Sequence, residues 1–290
     1  MSDPVVITSG DLTARIAPLG AELLSLQDSQ GREYMTDADP AFWSGHAPLL
    51  FPIVGRLNGD ALRVDGQSYA MRQHGFARRL SWELVGAGAD AVTFRLSDTA
   101  ETRVQYPFAF ELAVLYALED NRLSIVVRVS NTGDTPLPFS FGFHPAFAWP
   151  LPGGGDKAGH SITFDQPEPQ DIRRLDSDGL IARHAPTPVA DRTLALDPAL
   201  FAEDALIWDE LASRRLAYRS PEGPWLEVAF DLPMLGIWQK PGANFICIEP
   251  WAGLADPAGF AGDFTAKPGV ILLAPGAEQR LTMDVTVHER

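Results

Sequence analysis

The 290-residue chain has one cysteine, Cys247, so no intrachain disulfide can form and a disulfide-framed secreted scaffold is excluded. It is short of positive charge: 23 Lys and Arg stand against 38 Asp and Glu, a formal net charge of −15. Long-range repulsion therefore opposes encounter with nucleic acid or an anionic membrane, whereas a neutral small molecule is indifferent to it. No run approaches the ~20 apolar residues that cross a bilayer as a helix. Met1-Ser2-Asp3-Pro4 is not followed by the basic and apolar regions of a secretory signal. A cytoplasmic location is the expectation from these absences. Familiar catalytic signatures are missing too: no Gly-x-Ser-x-Gly elbow, Walker-type phosphate loop, dinucleotide fingerprint or His-Glu-x-x-His occurs. Serine-hydrolase, nucleotide-binding and standard zinc-protease chemistry are left without support.

Hydrophobic residues at 46% and charged residues at 21% are ordinary for a globular chain long enough to bury a substantial core. Short strand-like runs separated by turn residues recur throughout: 5–8, 12–17, 21–27, 112–117, 123–130, 226–230, 234–238, 244–249, 270–273 and 280–287. In 123–130 the alternation is plain, with Leu123, Ile125, Val127 and Val129 on one face and Ser124, Arg128 and Ser130 on the other. Residues 62–71 read as a hairpin about Asp65-Gly66. Residues 153–159 and 166–178 read as loops, and 201–208 as a short helix passing into a strand. Trp43 to Arg56 carries Pro48 and Pro52, each lacking a backbone donor, and reads as an ordered loop ending at Arg56. With no long amphipathic helix, repeat or linker, the expectation is a single all-β domain over 1–290, a sandwich or barrel of many short strands.

Two runs stand apart. In 137–149, Phe139, Phe141 and Phe143 would face a core while Ser140, Gly142 and His144 face away, leaving open space beside the imidazole. In Phe245-Ile246-Cys247-Ile248-Glu249-Pro250-Trp251, an apolar strand delivers a glutamate, a residue rarely buried without a partner or a task. The plainer alternative for Glu249 is a salt bridge to Arg56 or Arg78. Among six histidines, His74 and His144 sit beside glycine and aromatics, whereas His160, His184 and His288 read as surface residues and His46 as a structural hydrogen bonder. His74, His144 and Glu249 also have the residue types of a two-histidine, one-carboxylate metal site, though without a close His-x-His pair. Cys247 reads as a small hydrophobe rather than a nucleophile.

Four segments, Pro48-Leu49-Leu50-Phe51-Pro52-Ile53-Val54-Gly55-Arg56-Leu57, His74-Gly75-Phe76-Ala77-Arg78, Phe141-Gly142-Phe143-His144-Pro145-Ala146-Phe147 and Cys247-Ile248-Glu249-Pro250-Trp251, occur in the order found in a known family. The chain resembles the aldose 1-epimerases, the galactose mutarotase-like proteins, and in particular their LacX-like branch. The resemblance implies a large antiparallel β-supersandwich, interconversion of sugar anomers, and no metal or organic cofactor. It implies His144 as general acid, Glu249 as general base, and Arg56, His74 and Asp204 as substrate-binding residues. A sugar is the implied partner, with the protein a monomer or homodimer. Where galactose mutarotases proper continue the second histidine with a Tyr/Phe-Phe-Asn-Leu type run, Pro145-Ala146-Phe147 stands here, a departure that bears on which sugar is taken.

Overall fold

The computed structural model describes residues 3–289. Two large antiparallel sheets pack face to face. The first has nine strands in the spatial order Thr193–Ala195, Ser161–Phe164, Arg215–Arg219, Trp225–Phe230, Glu278–His288, Arg122–Asn131, Phe110–Glu119, Ala91–Ser97 and Glu83–Ala87. Its long central strands alternate buried and accessible residues; Leu123, Ile125, Val127 and Val129 are all buried, as the period of two requires.

The second sheet has eight strands. Ile181–Ala185, Ile172–Leu175, Leu206–Trp208, Met234–Trp238, Phe245–Ala252, Phe141–Phe143 and Leu49–Leu50 follow one another, and Ala146–Ala148 also pairs with Phe245–Ala252. Every residue of Phe245–Ala252 is buried, so this strand is covered on both faces. One face is the main core, where Ile246 and Ile248 meet Phe139, Phe141 and Phe143 together with the inward residues of the first sheet. The other face carries Phe245, Cys247, Glu249 and Trp251 toward two smaller apolar clusters and a cavity. A sandwich follows because each sheet must bury its apolar face, and the second sheet has two such faces to cover.

Several local expectations are revised. Residues 137–149 form three short strands rather than one, because Ser140 and His144-Pro145 interrupt the ladder and Leu137–Phe139 pairs instead with Ile271–Leu273. The stretch 166–178 is not all loop: it contains the strand Ile172–Leu175. The helical turn before Leu206–Trp208 lies at Pro198–Phe201, where Asp197 caps it. Within the proline-rich loop, Leu49–Leu50 joins the sheet edge, a position where flanking prolines are tolerated. Among the described residues no helix is long and apolar enough to cross a membrane.

His160 overturns its surface reading. It is 1% exposed, and its Nε2 accepts a hydrogen bond from the Leu151 amide at 3.1 Å. Desolvation lowers the pKa of His160, as it does for the half-buried His74 and the buried His144. A group whose folded pKa is depressed contributes stability above its unfolded pKa, near 6.5, and loses it as pH falls toward the folded value. Three such imidazoles are opposed by one carboxyl, Glu249, whose folded pKa is raised. The histidines outnumber the carboxyl, so the unfolded chain binds the more protons as pH falls below about 6.5, and stability drops there. Urea unfolding at pH 7.5 and 5.5 is therefore expected to show a marked loss of stability on the acid side, and equal midpoints would refute it.

Candidate active site

The two interrupted strands share one register. Gly142 lies opposite Trp251 and Ala146 opposite Cys247, so the same pairing carried through the gap sets His144 opposite Glu249. His144 Nε2 and Glu249 Oε2 stand 3.2 Å apart, with the side chains only 8% and 2% exposed. Pro145, with no amide hydrogen, keeps this part of the ladder from closing regularly, while its carbonyl accepts from the Ile248 amide at 3.2 Å.

The room around the pair comes from glycine. Gly142 and Gly236 occupy the strands on either side of Phe245–Ala252, and the Trp251 indole lies over both. A Cβ on either would come within 2.5 Å of that ring. The imidazole of His144 stacks on Trp43, with ring centroids 5.1 Å apart and planes 25° apart, and meets the edge of Trp238 at 6.1 Å. Its rotamer is thereby set by packing rather than by its partner. Trp43, Trp238 and Trp251 line a cavity of about 280 Å³ together with His74, Arg78, His144, Asp204 and Glu249.

His74 enters from the turn after the Gln67–Ala70 strand. Gly75 there is obligatory, because a Cβ would lie 2.0 Å from the Phe51 carbonyl oxygen. His74 itself has a φ of 64°, a left-handed conformation that only a firmly held turn sustains. Its amide donates to the Gly55 carbonyl at 2.8 Å, and its Nδ1 accepts from the Gly55 amide at 3.1 Å. The proton of the neutral ring is thus on Nε2, available as a donor. Asp204, also at positive φ (65°), reaches the cavity rim from the segment before Leu206–Trp208.

Arg56 is not brought to this cavity. Gly55, at φ 71°, turns the chain, and the guanidinium pairs in a fork with Asp60 at 2.8 Å on both arms and donates to the Asp178 carbonyl at 3.2 Å. It lines an adjoining polar depression that shares Gln73, Leu175, Gly179 and Asp204 with the first. Arg78 lines the cavity instead. It extends from the helical turn Ala77–Arg79 and, among the described residues, has no hydrogen-bond or ion-pair partner. The residues His-Gly-Phe-Ala-Arg were visible as a motif; an acid four residues after Arg56, a spacing that lets two side chains meet, was the available sign that the other arginine would be claimed.

Desolvation dominates the electrostatics of the central pair. Burial, then the charge of Asp204, raises the Glu249 carboxyl well above its ordinary value, with Arg78 opposing. Burial and then Arg78 lower His144. Both shifts disfavour the charged pair in the free protein and move the two groups toward sharing a single proton. His74 does not join a metal-ligand set with them, its Nδ1 being taken by Gly55; the group whose ligand atoms lie within 4.8 Å of one another is His144, Cys247 and Glu249.

The aldose 1-epimerase family model matches residues 3–283. Protein LacX of Lactococcus lactis subsp. lactis is 33% identical over 288 residues, covering 95% of this chain and 96% of its own. A galactose mutarotase related enzyme from Lactobacillus acidophilus superposes with a TM-score of 0.91 at 34% identity, covering 98% of this chain and 97% of the other. A galactose mutarotase-like protein from Lactobacillus casei gives 0.92 at 32%, covering 98% and 100%.

Proposed function

The chain belongs to the aldose 1-epimerase family, and from that premise and the geometry of the cavity we propose that it interconverts the α and β anomers of a free aldose. The observation that carries the reading is the pairing of His144 with Glu249 across the cavity floor at 3.2 Å. Anomer exchange removes the proton from the O1 hydroxyl and delivers one to the ring oxygen. The ring opens, C1 rotates about C1–C2, and reclosure on the other face gives the second anomer. Both oxygens are bonded to C1, so the acid and the base must lie close together and hold one proton between them. In the reactive form Glu249 as carboxylate takes the O1 proton and His144 as imidazolium protonates the ring oxygen, the roles exchanging on closure; burial opposes both charges in the free protein, and Arg78 offsets this for the carboxylate.

The remaining polar groups orient the ring. The Nε2 proton of His74 is offered to a sugar oxygen, Asp204 accepts from hydroxyls at the rim, and Arg78 supplies the fixed cation that favours ionised Glu249. Trp43, Trp238 and Trp251 present apolar surface to the C–H faces. A phosphorylated aldose would need a cluster of cations; Arg78 is the single Lys or Arg among the residues lining the cavity, Arg56 is neutralised by Asp60, and Lys240 is exposed elsewhere. These features favour a free sugar over its phosphate ester. The paired acid and base likewise favour turnover over mere sugar binding.

NMR anomer exchange across a panel of free and phosphorylated aldoses tests the reading, which fails if no aldose is accelerated. The two arginines separate cleanly. Loss of a charge-assisted hydrogen bond costs about 1.5–3 kcal/mol, so Arg78→Ala should raise KM for the preferred sugar about 10- to 100-fold. Arg56→Ala should change it by less than about twofold, its exposed ion pair being worth little. The reverse ranking would overturn the assignment.

A further inference from the structure

Behind the floor of the cavity, not lining it, lies a side chain that anomer exchange does not employ. Cys247 shares the cavity-side face of its strand with Glu249, two residues on, and is fully buried beneath the pair. We propose that His144, Cys247 and Glu249 form a binding site for a thiophilic divalent metal ion, zinc foremost, which competes with sugar for the same floor.

Three observations carry this. One ligand atom from each residue lies within 4.8 Å of the other two. Zinc at ~2.0–2.3 Å from N, O and S ligands places them about 3.3–3.8 Å apart in a tetrahedron, so closing the site takes shifts of about an ångström. Next, two polar atoms of these residues are buried without an aligned hydrogen bond: Glu249 Oε2, whose contact with His144 Nε2 is at 3.2 Å, and His144 Nδ1. Buried polar atoms left in that state are costly, and a cation satisfies the carboxylate directly. Last, the charges balance. A thiolate, a carboxylate and a neutral imidazole around a divalent ion sum to zero, the arrangement a water-poor pocket tolerates best.

The donor types choose the metal. Thiolate and imidazole favour zinc, cobalt or copper over magnesium and calcium, which require oxygen ligands. Binding replaces the thiol proton, which leaves to solvent, by a metal–sulfur bond, and no change of oxidation state is involved. The fourth position faces the cavity, where water completes the shell. An ion so placed occupies the space of O1 and the ring oxygen and engages both proton-transfer groups, so sugar and metal exclude one another. Only this competition rests on the mutarotase reading; the metal site stands independently of it.

The single cysteine makes the test unambiguous, because any thiolate–metal signal from this chain belongs to Cys247. Protein stripped with chelator and dialysed is titrated with cobalt(II) chloride and then zinc chloride. The expected result is a thiolate-to-cobalt charge-transfer band saturating at one equivalent and discharged by zinc. Cys247→Ala and Cys247→Ser should both abolish the band and weaken zinc binding at least ~10-fold by calorimetry. In NMR anomer exchange, zinc should inhibit the wild-type protein competitively with sugar, whereas the two variants keep the basal rate and resist zinc by the same factor. A titration without the band, or zinc affinity unchanged in whichever variant folds, overturns the proposal. Finding the band in a protein that accelerates no aldose would instead sink the sugar reading and leave the metal site intact.

Discussion

Glu249→Gln is expected to lower the rate of anomer exchange by about 10²- to 10⁴-fold, the usual worth of one positioned acid–base group, while sugar binding stays measurable. The amide has nearly the same shape as the carboxyl, so the packing of Trp251 over Gly142 and Gly236 should persist. What it removes is the site for a proton. Burial raises Glu249 and lowers His144, and the pair works by passing a single proton between O1, the ring oxygen and these two groups. Glutamine neither takes that proton nor returns it. Because an ionisable group at 2% exposure is a burden to the fold, thermal stability should be equal or slightly higher in the variant. Polarimetry and a melting curve on the same sample separate the two effects. Full activity in a folded Glu249→Gln protein would remove this carboxylate from the mechanism.

Lys267→Met is expected to destabilise the protein by about 3–5 kcal/mol, the cost of stranding a buried charge. Lys267 Nζ lies 3.1 Å from Asp256 Oδ1, with the side chains 1% and 2% exposed. Their alignment falls short of a hydrogen bond, so the attraction is mainly coulombic. The other Asp256 oxygen accepts from the Asn58 amide at 2.8 Å, and its backbone amide donates to the Arg56 carbonyl at 2.8 Å. Asp256 thus ties two loops whose neighbouring residues, Gly55 and Ala255, wall the cavity. Pairing the change with Asp256→Asn removes the stranded charge and should recover part of the loss in urea unfolding. A single variant as stable as the wild type would refute the buried-charge assignment.

Much of this architecture could be read from alternation. Leu123 to Val129 declares its two faces by side-chain type, because a strand turns its neighbours to opposite sides. The aromatic run 137–149 announced which face would be core, and Phe139, Phe141 and Phe143 are there. It did not announce that the ladder breaks at Ser140 and again at His144-Pro145, since a break depends on which partner strand is in reach. Ile172–Leu175 was hidden for the same reason: three of its four residues are Ile, Arg and Arg, and it is a strand because Leu206–Trp208 and Ile181–Ala185 flank it. His160 was misjudged from its polar neighbours, whereas its burial follows from the Leu151 amide that it satisfies.

At the site, residue types were enough to single out an imidazole and a carboxyl group, because few other reasons place glutamate in an apolar strand or leave small residues around a histidine. Their meeting at 3.2 Å is a product of pairing register between segments more than a hundred residues apart. The choice between arginines is of the same kind. Arg56 and Arg78 are alike as residues, yet Asp60 and a left-handed glycine turn one away while a helical turn points the other inward. Local chemistry is written along the chain, but proximity between distant segments exists only once the sheets have formed, and catalysis here is a matter of proximity.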